Sequence, residues 1–208
     1  ESLENCINAA QADGVKHFIL VINMSTTMFG SVDDIGKITL WLDDLKVDYK
    51  VHVDAAFGGY IYPFSNEASL LTFQNPKFNS FTLDGHKMLQ SPYGTGIYLS
   101  RKGFMEYGLT EEANYVKGKD YTLVGSRSGA NAIAIWMIMR TYGSEGWKGK
   151  IQKLLSKTDR LCSNLDEKGV EYFRNPFMNI VTIKSEFVST ALPDKYMLVP
   201  DTHGEGVK

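Results

Sequence analysis

A chain of 208 residues with 43% apolar and 22% charged side chains has the size and composition of one globular domain, or of a domain with a smaller appendage. Its net charge of −2 offers no electrostatic footprint for nucleic acid or for an anionic membrane surface. Its longest apolar run, Ala132 to Met139, is far short of the roughly 20 residues of a membrane span.

Cys6 and Cys162 stand alone without paired spacing, which predicts reduced, buried thiols. With no basic, apolar leader at the start, the expectation is a soluble, cytoplasmic protein. In chain order, residues 2–13 read as a short helix stopped by Gly14. Phe18 to Ile22 is a continuous apolar run of strand length, as for a strand covered on both faces. A hydroxyl-rich loop, Ser25 to Gly30, leads to Ser31 as predicted cap of the next helix, with Asp34 three residues on. Ile35, Ile38, Trp41, Leu42 and Leu45 give that helix a buried stripe.

Further strands are predicted at Tyr49 to Val53, Ser80 to Leu83 and Gly96 to Leu99. Phe104 to Tyr121 is polar and aperiodic, and reads as a long lid-like loop. Two helices follow. Ala130 to Tyr142 is apolar nearly all round and so expected to be buried. Ser144 to Lys168 carries one apolar side and stops at Gly169. Phe177 to Ile183 reads as a strand of a second, smaller unit, and Thr202 to Lys208 as a frayed end.

Strands alternating with helices or loops argue for an open α/β sheet, and ligands bind such sheets beyond the carboxyl ends of the strands. Thr27, Asp54 and Lys87 all fall just past predicted strand ends. A lysine there has no helical face and no charge run to join, which makes Lys87 the first candidate for chemistry. Strand-end lysines form Schiff bases with carbonyl compounds, and pyridoxal phosphate is the usual partner. That cofactor needs an anion at its ring nitrogen, a part open to Asp54, while Ala56 leaves room for a flat ring. His86 and the turn holding Ser126 are plausible phosphate donors.

HVDAAFGG (His52 to Gly59), DGHKM (Asp84 to Met88) with the following SP and GTG, and GSRSG (Gly125 to Gly129) together resemble the group II pyridoxal-phosphate-dependent amino acid decarboxylases. The matches are ordered and spread over residues 17–147. The resemblance implies an aspartate-aminotransferase-like α/β fold (fold type I): a large domain with a mainly parallel sheet over residues 1–147, and over 148–208 a connecting helix with the start of a small α+β domain. It implies pyridoxal 5'-phosphate as cofactor, an L-amino acid as substrate with the tyrosine/aspartate type favoured, and a homodimer with shared active sites.

Residue by residue, it implies Lys87 as the Schiff-base lysine, Asp54 on the pyridine nitrogen and Ala56 against the ring. Thr27 would lie beside Asp54, in an STT loop where the family usually has GTT. His86 would contact the phosphate region, Ser126 the phosphate of the neighbouring subunit, and Tyr115 would be a lid tyrosine that protonates the product. Asp84 stands near the cofactor where relatives often carry Asn or Ser. The family's ring-stacking histidine and serine-bearing phosphate loop have no counterpart, since His17 belongs to the first strand, so the chain reads as an incomplete catalytic subunit. Two alternatives stay open: a carbon–carbon lyase or sulfur-handling relative of the same fold, and a non-catalytic fragment.

Overall fold

The computed structural model describes residues 2–108, 127–200 and 206–207. A four-stranded sheet of order β1-β2-β3-β4 forms its main body: β1 is His17–Asn23, β2 Asp48–Asp54, β3 Phe78–Asp84 and β4 Gly96–Ser100. β1, β2 and β3 run parallel and β4 antiparallel to β3, which is the mainly parallel α/β sheet that the sequence predicts. Helix α1 (Leu3–Ala12) opens with the Ser2 hydroxyl accepting from the Asn5 amide, and the chain turns beyond it through Gly14 at φ +83°.

Helix α2 (Ile35–Asp44) links β1 to β2 and buries Ile35, Thr39 and Leu42. Its cap is Asp34 rather than Ser31. The Asp34 carboxylate accepts from the Lys37 amide at 3.1 Å, and this bond holds its carboxyl below the usual range. Ser31 is unable to cap because Met24 and Val32 pair as a bridge and Asp33 takes the Asn23 amide at 2.8 Å. Those contacts keep the segment extended up to Asp34.

The two faces of the sheet differ. Ile22, Val51, Val53 and Leu83 turn one way into the core with Ile35, Tyr60 and Leu89, each such burial contributing about 1.5–3 kcal/mol. The other face carries Ile19 and Val21, 81% and 57% exposed. The expectation that β1 is covered on both faces is therefore corrected, because the core cluster draws only Leu20 and Ile22 from it. A bulge interrupts β2–β3, where Val51 pairs with Phe78 but His52 with Ser80. The Asn79 side chain accepts from the Val51 amide at 2.7 Å and holds it.

A 3-10 turn (Gly58–Tyr60) and helix α3 (Tyr62–Ser65) follow β2. Helix α4 (Gly129–Glu167) joins the two predicted helices, with Gly143 at φ 57° marking the break between them. Its first half is not buried as expected: Ile133, Trp136 and Met137 are all more than half exposed, and Ile135 and Ile138 alone of that apolar run pack against the main core. Beyond the break, the Trp147 indole donates to the Tyr60 carbonyl at 2.8 Å, and Ile151 packs with Ile61 and Met178 in a second cluster.

Strands β5 (Tyr172–Phe173), β6 (Thr182–Lys184) and β7 (Gly206–Val207) form a small antiparallel sheet, with α5 (Leu192–Tyr196) between the last two. Three expectations are corrected here. The strand predicted at Phe177 to Ile183 starts only at Thr182, because the Asn175 side chain accepts from the Phe177 amide and its carbonyl from the Met178 amide, both at 3.0 Å. Within the predicted frayed end, Gly206 and Val207 pair with β6. Cys6 is exposed, while Cys162 is buried as expected. Among the described residues no helix is long and apolar enough to cross a membrane.

Candidate cofactor site at the strand ends

Backbone hydrogen bonds carry the sheet ladder past the ends of its parallel strands. The Met24 amide donates to Asp54 at 2.8 Å, Ala55 to Thr82 at 3.0 Å and Asp84 to Ala56 at 3.1 Å. Three connections, starting at Met24, Ala55 and Gly85, are thereby brought side by side at the edge where open α/β sheets bind ligands. Small residues make this approach possible. A Cβ on Gly58 would lie 2.1 Å from the Met24 carbonyl oxygen, and one on Gly59 2.1 Å from Leu83 Cδ2.

Asp54, the last residue of β2, is exposed, and its carboxylate accepts from the Ala56 amide at 3.1 Å, an Asx turn that aims the acid outward. Ala56 is half-buried beside it, and Thr27 is exposed in the turn after β1. Ser25, first of the STT triplet, adopts φ 83°, and its hydroxyl is buried without a hydrogen-bond partner. Left-handed backbone favours glycine, so the geometry at Ser25 accounts physically for the GTT pattern of the resemblance.

The turn bearing Lys87 is braced from within. Gly85 donates to the Thr95 carbonyl at 2.8 Å and Ser91 to the Gly85 carbonyl at 2.9 Å. A Cβ on Gly85 would come within 2.7 Å of the Ser91 hydroxyl. His86 donates through Nδ1 to the same Thr95 carbonyl at 3.1 Å, which leaves Nε2 on the Asp84 side, 3.9 Å from Oδ2. That oxygen also sits 2.9 Å from Lys87 Nζ. One carboxylate thus faces both the histidine and the lysine of the DGHK motif, and its charge is turned onto the lysine.

His52, two residues before Asp54, is hydrogen-bonded with the Ser80 hydroxyl at 2.9 Å and stacks on Tyr98 with ring centroids 5.9 Å apart. Burial lowers its pKa from the ordinary histidine value, and the Asp54 charge opposes part of that shift. No signal in the sequence points to the Tyr98 contact, because it depends on the antiparallel pairing of β3 with β4. His17 lies at the start of β1, 2.7 Å from the carboxylate of Asp48 at the start of β2, so it belongs to the opposite end of the sheet. Tyr115 and Ser126 lie outside the described residues. Among the described residues no cluster of His, Cys, Asp or Glu could hold a metal ion.

These residues fit a flat, carbonyl-bearing, anionic cofactor. They offer an exposed amine, an outward-facing acid on the neighbouring strand, a small side chain beside the acid and an unpartnered buried hydroxyl in the adjoining loop. The comparisons with known proteins agree. Residues 1–182 match the pyridoxal-dependent decarboxylase conserved domain. A tryptophan decarboxylase of Clostridium sporogenes is 48% identical over 202 residues, covering 97% of this chain and 48% of that protein. A probable L-tyrosine/L-aspartate decarboxylase of Methanococcus maripaludis is 34% identical over 168 residues, covering 77% of this chain and 43% of the relative.

Among solved structures, a sphingosine-1-phosphate lyase of Burkholderia pseudomallei superposes with a TM-score of 0.75 at 20% identity, over 91% of this chain and 46% of its own. At that identity the likeness speaks for the fold, which is the type I fold of pyridoxal-phosphate enzymes. The chain spans about half the length of the curated relatives it matches. It belongs to the pyridoxal-dependent decarboxylase family, whose cofactor is pyridoxal 5'-phosphate.

Proposed function

We propose that this chain carries the lysine-bearing part of an enzyme that decarboxylates an aromatic L-amino acid to its amine and CO2. The observation that carries the proposal is the pairing of Asp54 with the turn of Lys87. The two residues belong to the ends of adjacent parallel strands, tied by the Ala55–Thr82 and Asp84–Ala56 hydrogen bonds. When bound, the cofactor supplies an electron sink for the charge left at Cα as CO2 departs.

In this reading Lys87 holds the cofactor through its amine, and the Asp54 carboxylate keeps a proton on the ring nitrogen. Ala56 gives the ring room, with Thr27 at its side. His86, fixed by the Thr95 carbonyl, meets the phosphate region, and Asp84 stands close by. Ser126 serves the phosphate of a second subunit in a homodimer, and Tyr115 returns a proton to Cα. Residues 1–147 form the cofactor-binding domain, and 148–208 a connecting helix and the start of a small domain.

Tryptophan is the first substrate to test, since the tryptophan decarboxylase is 48% identical and the tyrosine/aspartate type 34%. Tyrosine and aspartate are the second. The test begins with the visible spectrum of the protein with pyridoxal phosphate, beside Lys87→Ala. A band in the parent that the variant loses supports Lys87 as the attachment point. Incubation with tryptophan, tyrosine, aspartate, histidine and glutamate should then release CO2 and one amine. An aldehyde or sulfide product would replace this reading by the lyase or sulfur chemistry, and no band in either protein would replace it by the non-catalytic one.

A further inference from the structure

The acid of the DGHK motif is the least expected group at an anion-binding site, and its geometry gives it a use. Asp84 Oδ2 lies 2.9 Å from Lys87 Nζ and 3.9 Å from His86 Nε2. It does not drift there. The Asp84 amide is tied to the Ala56 carbonyl at 3.1 Å, and the Lys87 amide to the Asp84 carbonyl at 3.2 Å, so the turn itself brings the two side chains together. The carboxyl is about three-quarters covered, whereas the lysine is 41% exposed.

We propose that Asp84 is a positioning residue that latches the Lys87 amine while it is free and passes to His86 once that amine is used. The inference rests on the reading of Lys87 as the cofactor lysine. An amine attacks a carbonyl carbon through its lone pair, so the ammonium must first leave its carboxylate partner and give up a proton, which Asp84 Oδ2 takes and passes to His86 Nε2. Condensation then joins nitrogen to the carbonyl carbon and releases the carbonyl oxygen as water. With the Lys87 proton so transferred, the partner left to Oδ2 is His86, one ångström further off. The carboxylate thereby meets a positive group in either state, in place of facing the phosphate uncompensated.

The test needs no cofactor. The protein is exposed briefly to an amine-acylating reagent, and the acylation of Lys87 is read by peptide mass spectrometry against Lys16, which is exposed just before β1. Asp84→Asn should raise the Lys87-to-Lys16 ratio about two- to fivefold, the range expected for a partly exposed ion pair, and 1 M salt should raise it partway in the parent. An unchanged or lowered ratio in the variant overturns the latch, whatever pyridoxal phosphate does. A second reading, borohydride trapping of pyridoxal phosphate on Lys87, should be faster in Asp84→Asn. If the acylation ratio rises but neither protein traps the cofactor, the latch stands and the assignment of Lys87 to the cofactor fails.

Discussion

The two faces of the four-stranded sheet are built from the same strands and obey different rules. One face holds Ile22, Val51 and Val53, each at most 1% exposed, and is governed by close packing. On the other, Ile19, Lys50, Asp54 and Tyr98 are exposed, and His52 is satisfied by the Ser80 and Thr82 hydroxyls and the Tyr98 ring. Neighbouring residues such as Val53 and Asp54 thus turn to the core and to solvent separately. Substitution should therefore separate the faces cleanly.

The largest effect is expected on the packed face. Ile22→Ala should lower unfolding free energy by about 3–4 kcal/mol, since a fully buried aliphatic side chain loses both transfer energy and a cavity's worth of contacts. Denaturant titration checks it, and a loss below about 1 kcal/mol would mean that the core collapses onto the gap. On the other face, Asp54→Ala should cut amine formation by about a hundredfold or more, as for a lost group that stabilises developing charge, yet leave the denaturation midpoint nearly unmoved. Equal losses in both measurements would make Asp54 a structural cap.

Ser25→Gly sharpens the contrast in the opposite direction. It removes a left-handed φ on a side-chain-bearing residue and a buried hydroxyl without a partner. Even against the extra chain entropy of glycine, a gain of about 1 kcal/mol is expected, read as a rise in melting temperature. His52 adds a smaller, pH-dependent effect. Its folded-state pKa lies below the ordinary 6.5 because of burial, so its contribution is full above that pH and is lost as pH falls and the ring must charge. His52→Gln should flatten the stability curve between about pH 7 and 5. Ile19→Ser, at a side chain 81% exposed, should move stability by less than about 0.5 kcal/mol.

Much of this was legible in the sequence, for reasons that differ by region. The strands and their ends could be read because the apolar runs of β1, β2 and β3 stop at small, hydroxylated or acidic residues, and backbone pairing then fixes where the ends lie. That Asp54, Ala56, His86 and Lys87 stand at or just past strand ends follows from that. The first half of α4 was misread because an all-round apolar composition reports what a helix tolerates, and Ile133 and Trp136 are exposed although Ile135 packs inward. The cap of α2 was misplaced by three residues because the competing partners of Asp33 and Val32 lie across the chain, at Asn23 and Met24. The opposition of Asp84 and Lys87 was also invisible, since a DGHK string does not say which way its acid turns.

The bulge at Asn79 acts on β3 as an inserted letter acts on a reading frame. Upstream of it Phe78 is paired with Val51, and downstream Ser80, Phe81 and Thr82 are paired with His52, Val53 and Asp54. Because side chains alternate with a period of two, one surplus residue inverts the meaning of every later position. It sends Phe81 and Leu83 to the core and leaves Thr82 and Asp84 in phase with Asp54. Asn79 is thus the letter that the strand skips: with it deleted, Ser80, Phe81 and Thr82 should stay in frame opposite His52, Val53 and Asp54, whereas one residue inserted after Ser80 would spell the message that reaches Lys87 on the wrong side of the sheet.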